Sequence, residues 1–156
     1  MATAYMNELN AVLSEWGAKV ADTIKSNLDA TGTTASGRTR DSIEVVVENG
    51  ELFILGRPYF RGVEEGRGAG KIPYNFTDIL HQWMKDKGIA GNFGDNESKQ
   101  RNAAFAIGQF IKKHGTKLYR DGGRTDIYTQ TIEDNLPDLF NDINGFVAST
   151  IVKDLK

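Results

Sequence analysis

Two adjacent glutamates, Glu64 and Glu65, lie in the segment Arg61-Gly62-Val63-Glu64-Glu65-Gly66-Arg67-Gly68-Ala69-Gly70-Lys71. Carboxylates are what general acid–base catalysis or a hard metal ion demands. In an extended segment, however, neighbouring side chains point to opposite sides, so these two do not converge on one atom. The simpler expectation is an ion pair from one of them to Arg61, to Arg67 or to an arginine of a neighbouring subunit, with the other glutamate solvated; such surface pairs are individually weak. The same segment invites a phosphate-loop reading, because glycine amides followed by lysine can cradle phosphates. The spacing fails: the glycine required five residues before Gly70 is Glu65, and Lys71 is followed by Ile72 in place of a magnesium-binding hydroxyl. His81 and His114, the only histidines, fall on separate predicted helices without metal-ligand spacing; each is expected as a boundary residue, with His114 near a helix C-terminus where positive charge is favoured. No serine sits in a nucleophile-elbow pattern, and the absence of cysteine removes disulfides and thiolate metal sites. The residues therefore predict no catalytic group, no cofactor and no metal.

A chain of 156 residues, 39% hydrophobic and 26% charged, has ordinary globular composition and the length of one domain. A net charge of −2 argues against a protein whose main work is gripping nucleic-acid phosphates. The N-terminal residues lack a basic stretch leading into a long apolar run, and no apolar stretch approaches the roughly 20 residues of a membrane helix. The expectation is a soluble, unsecreted protein with no membrane partner.

The elements that must position the charged segment are readable in order. Met6, Leu9, Leu13, Trp16, Val20, Ile24 and Leu28 recur at helical spacing and predict a long amphipathic helix over about 4–30, ended at Thr31-Gly32. A small polar connector, 32–37, precedes Arg38, Arg40 and Asp41. The runs 42–47 and 52–55 flank Asn49-Gly50, the strongest short hairpin signal. Alternation puts Ile43, Val45 and Val47 on one face and Glu44 and Val46 on the other. Phe76, Ile79, Leu80, Trp83 and Met84 predict a short helix over 76–87, capped by Asn75 or Thr77. The polar stretch 90–100 reads as an exposed, mobile loop, and 103–114 as a helix buried around much of its girth, with Gly108 accepted for a close approach. Residues 117–129 contain Asp121-Gly122-Gly123 between Leu118-Tyr119 and Ile127-Tyr128, the pattern of a second hairpin or of a protruding loop. Ile132, Leu136, Leu139, Phe140, Ile143, Phe146, Val147, Ile151 and Leu155 form one broad stripe on a C-terminal helix that Pro137 either opens or kinks. The predicted class is α+β: a small antiparallel sheet, with a hairpin at about 42–56 and strands possible near 117–129, packed by long N- and C-terminal amphipathic helices and a central buried helix.

Charge is uneven. Lys99, Arg101, Lys112, Lys113, Lys117, Arg120 and Arg124 make the third quarter basic, and Asp126, Glu133, Asp134, Asp138, Asp142 and Asp154 make the end acidic. Either these faces are merely solvated, or a basic face meets the acidic face of the next copy, the head-to-tail contact that closes a ring.

Arg40-Asp41-Ser42-Ile43 at the strand start, Tyr59 followed by Val63-Glu64-Glu65-Gly66, and Lys113-His114-Gly115-Thr116 at a helix end occur in an order that resembles the head-to-tail connector and tail-completion (neck) proteins of tailed bacteriophages and prophages. The resemblance covers most of the chain through short motifs. It implies a non-enzymatic virion protein of the phage neck, assembled in the host cytoplasm as a 6- or 12-fold homo-oligomeric ring between portal or adaptor and tail proteins, with DNA only as cargo in the channel. The interface residues expected on this reading are Arg40, Tyr59, Arg61, Glu64, Glu65, Arg67, Lys117, Arg120 and Arg124. The competing readings, a small enzyme or nucleotide-binding protein and a prophage-encoded DNA-binding regulator, each require site chemistry that the residues do not supply.

Overall fold

A computed structural model describes residues 2–156. The chain runs α1 (Ala2–Ala30), α2 (Arg38–Asp41), β1 (Glu44–Glu48), β2 (Glu51–Leu55), α3 (Gly62–Glu65), α4 (Phe76–Asp86), a 3-10 turn (Ala90–Phe93), α5 (Glu97–His114), α6 (Lys117–Arg120) and α7 (Thr129–Asp154). This is the α+β class, mostly helical, with one two-stranded antiparallel sheet. The backbone forms two compact units. The first comprises α1, Arg40–Arg57 and Thr125–Lys156; the second comprises Thr31–Thr39 and Pro58–Arg124.

In the first unit, α1 is the common partner of α7 and of both strands. Its predicted stripe supplies the buried Leu13, Trp16, Val20, Ile24 and Leu28. Along α7 the contacts are antiparallel in register. The Tyr5 hydroxyl bonds Asp154, the Trp16 indole N–H donates to the Asn135 carbonyl at 2.7 Å, and the Asn27 amide donates to the Ile127 carbonyl at 3.0 Å and to Thr131 Oγ1 at 2.9 Å. The Tyr5 bond to Asp154 pushes the phenol pKa up, because ionisation would break it and set two anions together. Pro137 lies inside α7 rather than at its start.

The hairpin turns at Asn49 (φ 51°) and Gly50 (φ 78°), the paired positive angles of a type I′ turn. Its tip is fixed by the Gly50 N–H donating to Asn10 Oδ1 at 2.9 Å. Val45 pairs with Ile54 and Val47 with Leu52, and the sheet sits on α1 where Gly17 has no side chain. A Cβ there would stand 2.7 Å from Val45 Cγ1 and 2.9 Å from Leu52 Cδ1. Glu44, Glu48 and Glu51 occupy the strand ends and are exposed, charges that discourage indiscriminate edge pairing.

In the second unit, α4 packs directly on α5, with the 3-10 turn against both. Met84 and Ala104 are fully buried, and Gly108 admits the ring of Phe76, with a Cβ there 3.3 Å from Phe76 Cδ1. This is the close approach that its place in the helix predicts. His81 is buried rather than at a boundary, with Nε2 3.1 Å from Gln100 Oε1. Asn96 caps α5 by accepting from the Lys99 N–H at 3.0 Å, and Lys85 joins Glu97 at 2.7 Å. This hydrogen bond to Lys85, reinforced by its charge, holds the Glu97 carboxyl below its ordinary range.

Four expectations change. The stretch 90–100 is a 3-10 turn and the first turn of α5 rather than an irregular loop, because Asn96 satisfies the free amides that open the helix. Only Ala104 and Gly108 of α5 are buried, so the helix is a surface layer and not a central core. Residues 117–129 contain no strand: Thr116 caps α6 by accepting from the Tyr119 N–H, which commits the segment to a helical turn. Arg38–Asp41 also form a short helix before the strand.

Gly17→Ala should lower stability by about 1–3 kcal/mol, outweighing the roughly 1 kcal/mol that Ala ordinarily gains over Gly in a helix, because the stiff Val45 cannot rotate away. A urea midpoint that falls at constant slope is the expected readout, and a rise would contradict the packing. Lys85→Met should return the Glu97 titration upward, followed by NMR of its side-chain carboxyl. The Glu97 contribution to stability is full above the ordinary carboxylate pKa and fades as pH falls through the depressed one.

Candidate functional site

Two of the motifs singled out in the sequence, Val63-Glu64-Glu65-Gly66 and Lys113-His114-Gly115-Thr116, meet in the second unit, where α3 packs on α6. Arg67 and Thr116 bond reciprocally: the Arg67 N–H donates to Thr116 Oγ1 at 3.0 Å and the Thr116 N–H donates to the Arg67 carbonyl at 2.8 Å. The Arg124 N–H donates to the Glu64 carbonyl at 2.8 Å and the Gly70 N–H to the Lys112 carbonyl at 2.9 Å. Backbone is thus laced to backbone across some 50 residues of sequence, with no room left for side chains at the crossing. A Cβ on Gly66 (φ 72°) would lie 2.5 Å from the Tyr119 nitrogen, and one on Gly115 (φ 80°) would lie 2.8 Å from the Arg67 carbonyl oxygen. Glycine is required at both positions on steric grounds alone.

The two glutamates lie in a short helix rather than an extended strand, so their side chains diverge by a helical step. Glu65 joins Arg61 at 2.6 Å across one turn, with both side chains largely exposed. The expected pairing of one glutamate with Arg61 is thus met by Glu65, but the other is not solvated: the helix turns Glu64 inward, where it is 2% exposed. Tyr59 is exposed. Arg67 anchors its own loop, donating from Nη2 to the Lys71 carbonyl at 2.8 Å and lying 5.3 Å from the centre of the Phe76 ring. Arg120 stacks at 5.0 Å over Phe110, whose ring also lies 4.6 Å from that of His114. Lys117 pairs with Asp121. Arg40 belongs to the first unit, where its guanidinium meets Asp41 at 2.8 Å and both carboxylate oxygens of Asp29 at 3.0 and 3.1 Å. These bonds, that to Asp41 foremost, raise its pKa. Arg40 is thereby a clamp between the end of α1 and the strand start.

Among the described residues no group of three or more His, Asp or Glu is placed to hold a metal, and no helix is long and apolar enough to cross a membrane. The first unit has a groove of about 400 Å³ between α1 and α7, lined by Glu8, Val12, Glu15, Asp142, Gly145, Phe146 and Ser149. Its lining is more polar than apolar, with three carboxylates and the Ser149 hydroxyl beside Val12 and Phe146.

The division into units sorts charge. The first unit carries 14 acidic and six basic side chains, a net −8, and the second carries seven acidic and 13 basic, a net +6; together they make the −2 of the whole chain. This partition is sharper than the run of charge along the sequence, because three separate acidic segments are gathered into one unit. No protein-family model, curated protein or solved structure matches the chain.

Gly66→Ala should destabilise the chain by about 1–3 kcal/mol, and Glu64→Lys, which places a charge in a closed site, by a comparable or larger amount. Glu65→Gln should change stability by less than about 1 kcal/mol. Thermal melts of the three variants check the order, and equal effects at positions 64 and 65 would contradict the inward turn of Glu64.

Proposed function

We propose that the protein is a structural subunit that assembles with copies of itself into a ring, the role of a connector or tail-completion protein at the neck of a tailed bacteriophage. The observation that carries this reading is the opposition of a −8 unit and a +6 unit within one chain. Like units of neighbouring copies repel and unlike units attract, which favours a head-to-tail contact over a two-fold one, and a repeated head-to-tail contact gives a ring when its rotation closes.

Three further features support the reading. Two of the three motifs that resemble the neck proteins, Val63-Glu64-Glu65-Gly66 and Lys113-His114-Gly115-Thr116, are held side by side through the paired bonds of Arg67 and Thr116. Large apolar side chains remain exposed in both units, among them Tyr74, Phe105, Phe140 and Leu155, as in a subunit that completes its burial on assembly. The chain also offers only one helical layer on its single hairpin, and the opposite sheet face presents Phe53 and Leu55. Portal or adaptor and tail proteins would then abut the ring, with DNA passing through its centre.

Native mass spectrometry at low ionic strength should show one closed multiple of the 17.2 kDa chain. Its population should fall steeply as salt shortens the Debye length from about 30 Å at 0.01 M to about 8 Å at 0.15 M. A monomer at every salt and protein concentration, with or without portal and tail partners, would overturn the proposal.

A further inference from the structure

The C-terminal half of α7 carries two apolar faces. Ile143 and Phe146 turn toward α1 and are half-buried, whereas Phe140, Val147, Ile151 and Leu155 stand 58, 46, 54 and 82% exposed. At 100° per residue these four fall within one 80° sector, which they share with Asn144, while Ala148 and Asp154 each stand 20° beyond one of its edges. Exposure at these fractions leaves about 500 Å² of apolar side chain bare on each copy, at the upper end of what a monomer shows. Covered by a partner of equal extent it buries about 1,000 Å², the threshold of a specific interface.

We propose that this stripe is covered by the outward face of α5 from the next copy of the chain. Charge selects between the two ways a second copy could cover it. Pairing α7 with α7 would set −8 against −8, whereas α5 belongs to the +6 unit. The outward face of α5 has matching chemistry. Phe105 is 56% exposed and shares its side of the helix with Arg101, Gln109, Lys112 and Lys113. Of the basic side chains in this part of the chain, Lys99, Arg101 and Lys117 are engaged by Asp95, Asp78 and Asp121, and none of these pairs takes up Lys112 or Lys113. Phe105 is a compact aromatic anchor, and the methylene stems of Lys112 and Lys113 lie well on an apolar surface while their ammonium groups reach past it toward carboxylates. The contact joins different surfaces of the two copies, so it repeats in one direction and is the seam of the ring; it rests on the head-to-tail reading and assigns that reading its residues.

The chain has no cysteine, so single thiols can be placed without background. Val147→Cys and Phe105→Cys change exposed positions and should leave the melting temperature close to that of the parent. Mixed and mildly oxidised, the two variants should give a covalent dimer containing one of each, at least tenfold above the dimer formed by either alone. Lys112→Glu with Lys113→Glu should reduce that product and the ring population at least tenfold in low salt while the chain stays folded by circular dichroism. Dimers of Val147→Cys with itself as the main product would overturn the inference in favour of a two-fold seam. Rings of parental mass that give no mixed dimer would overturn it while leaving the ring intact. A strict monomer by native mass spectrometry would overturn both.

Discussion

The apolar stripe of α1 is the constraint on which the first unit depends. An isolated two-stranded hairpin is at best marginal in water, and among the described residues α1 is the main helix against which α7 packs. Both borrow their stability from the same surface, the hairpin at Gly17 and α7 through Trp16, Asn27 and the helix ends. One helix thereby fixes the sheet, the strand start at Arg40 and the groove edged by Glu8 and Glu15. The second unit is organised differently. Its loops are held by main-chain bonds around Arg67 and Thr116 rather than by a deep apolar core, which gives a defined surface from a segment rich in glycine.

This difference decides how the charged motif should be understood. Side chains that would be read as catalysts in a cleft are spent on holding the loop: Glu65 on Arg61, Arg67 on the Lys71 carbonyl and the Phe76 ring, Glu64 inside the fold. What remains exposed there includes Tyr59 and the Glu65–Arg61 pair, which on the proposed reading belong to a contact surface. Opposite net charge on the two units supplies direction to such a contact, and the bare stripe of α7 supplies area.

The long elements were legible in the sequence because their periodicity runs for many turns: the α1 stripe, the Asn49-Gly50 turn, the 76–86 helix and the C-terminal helix all stand where their spacing places them. Short elements were not. Four residues of α3 are too few to show a helical period, so Glu64 read as extended and solvated. Leu118-Tyr119 and Ile127-Tyr128 around Asp-Gly-Gly imitate a hairpin, and only the Thr116 cap shows which local preference wins. The width of the α7 stripe was visible from Ile132 to Leu155, but which half meets α1 depends on the register set by Trp16 and Asn135. The charge partition was half visible as a basic third quarter and an acidic end; the rest required knowing that α1 and the hairpin join the acidic end in one unit.

Electron-microscopic class averages of the purified protein at low ionic strength decide whether opposed charge directs copies of this chain into a closed head-to-tail ring. Annular particles with a single rotational symmetry and an open centre, which disperse at high salt, are the expected result. Two-fold dimers or isolated subunits as the only particles under those conditions would contradict it.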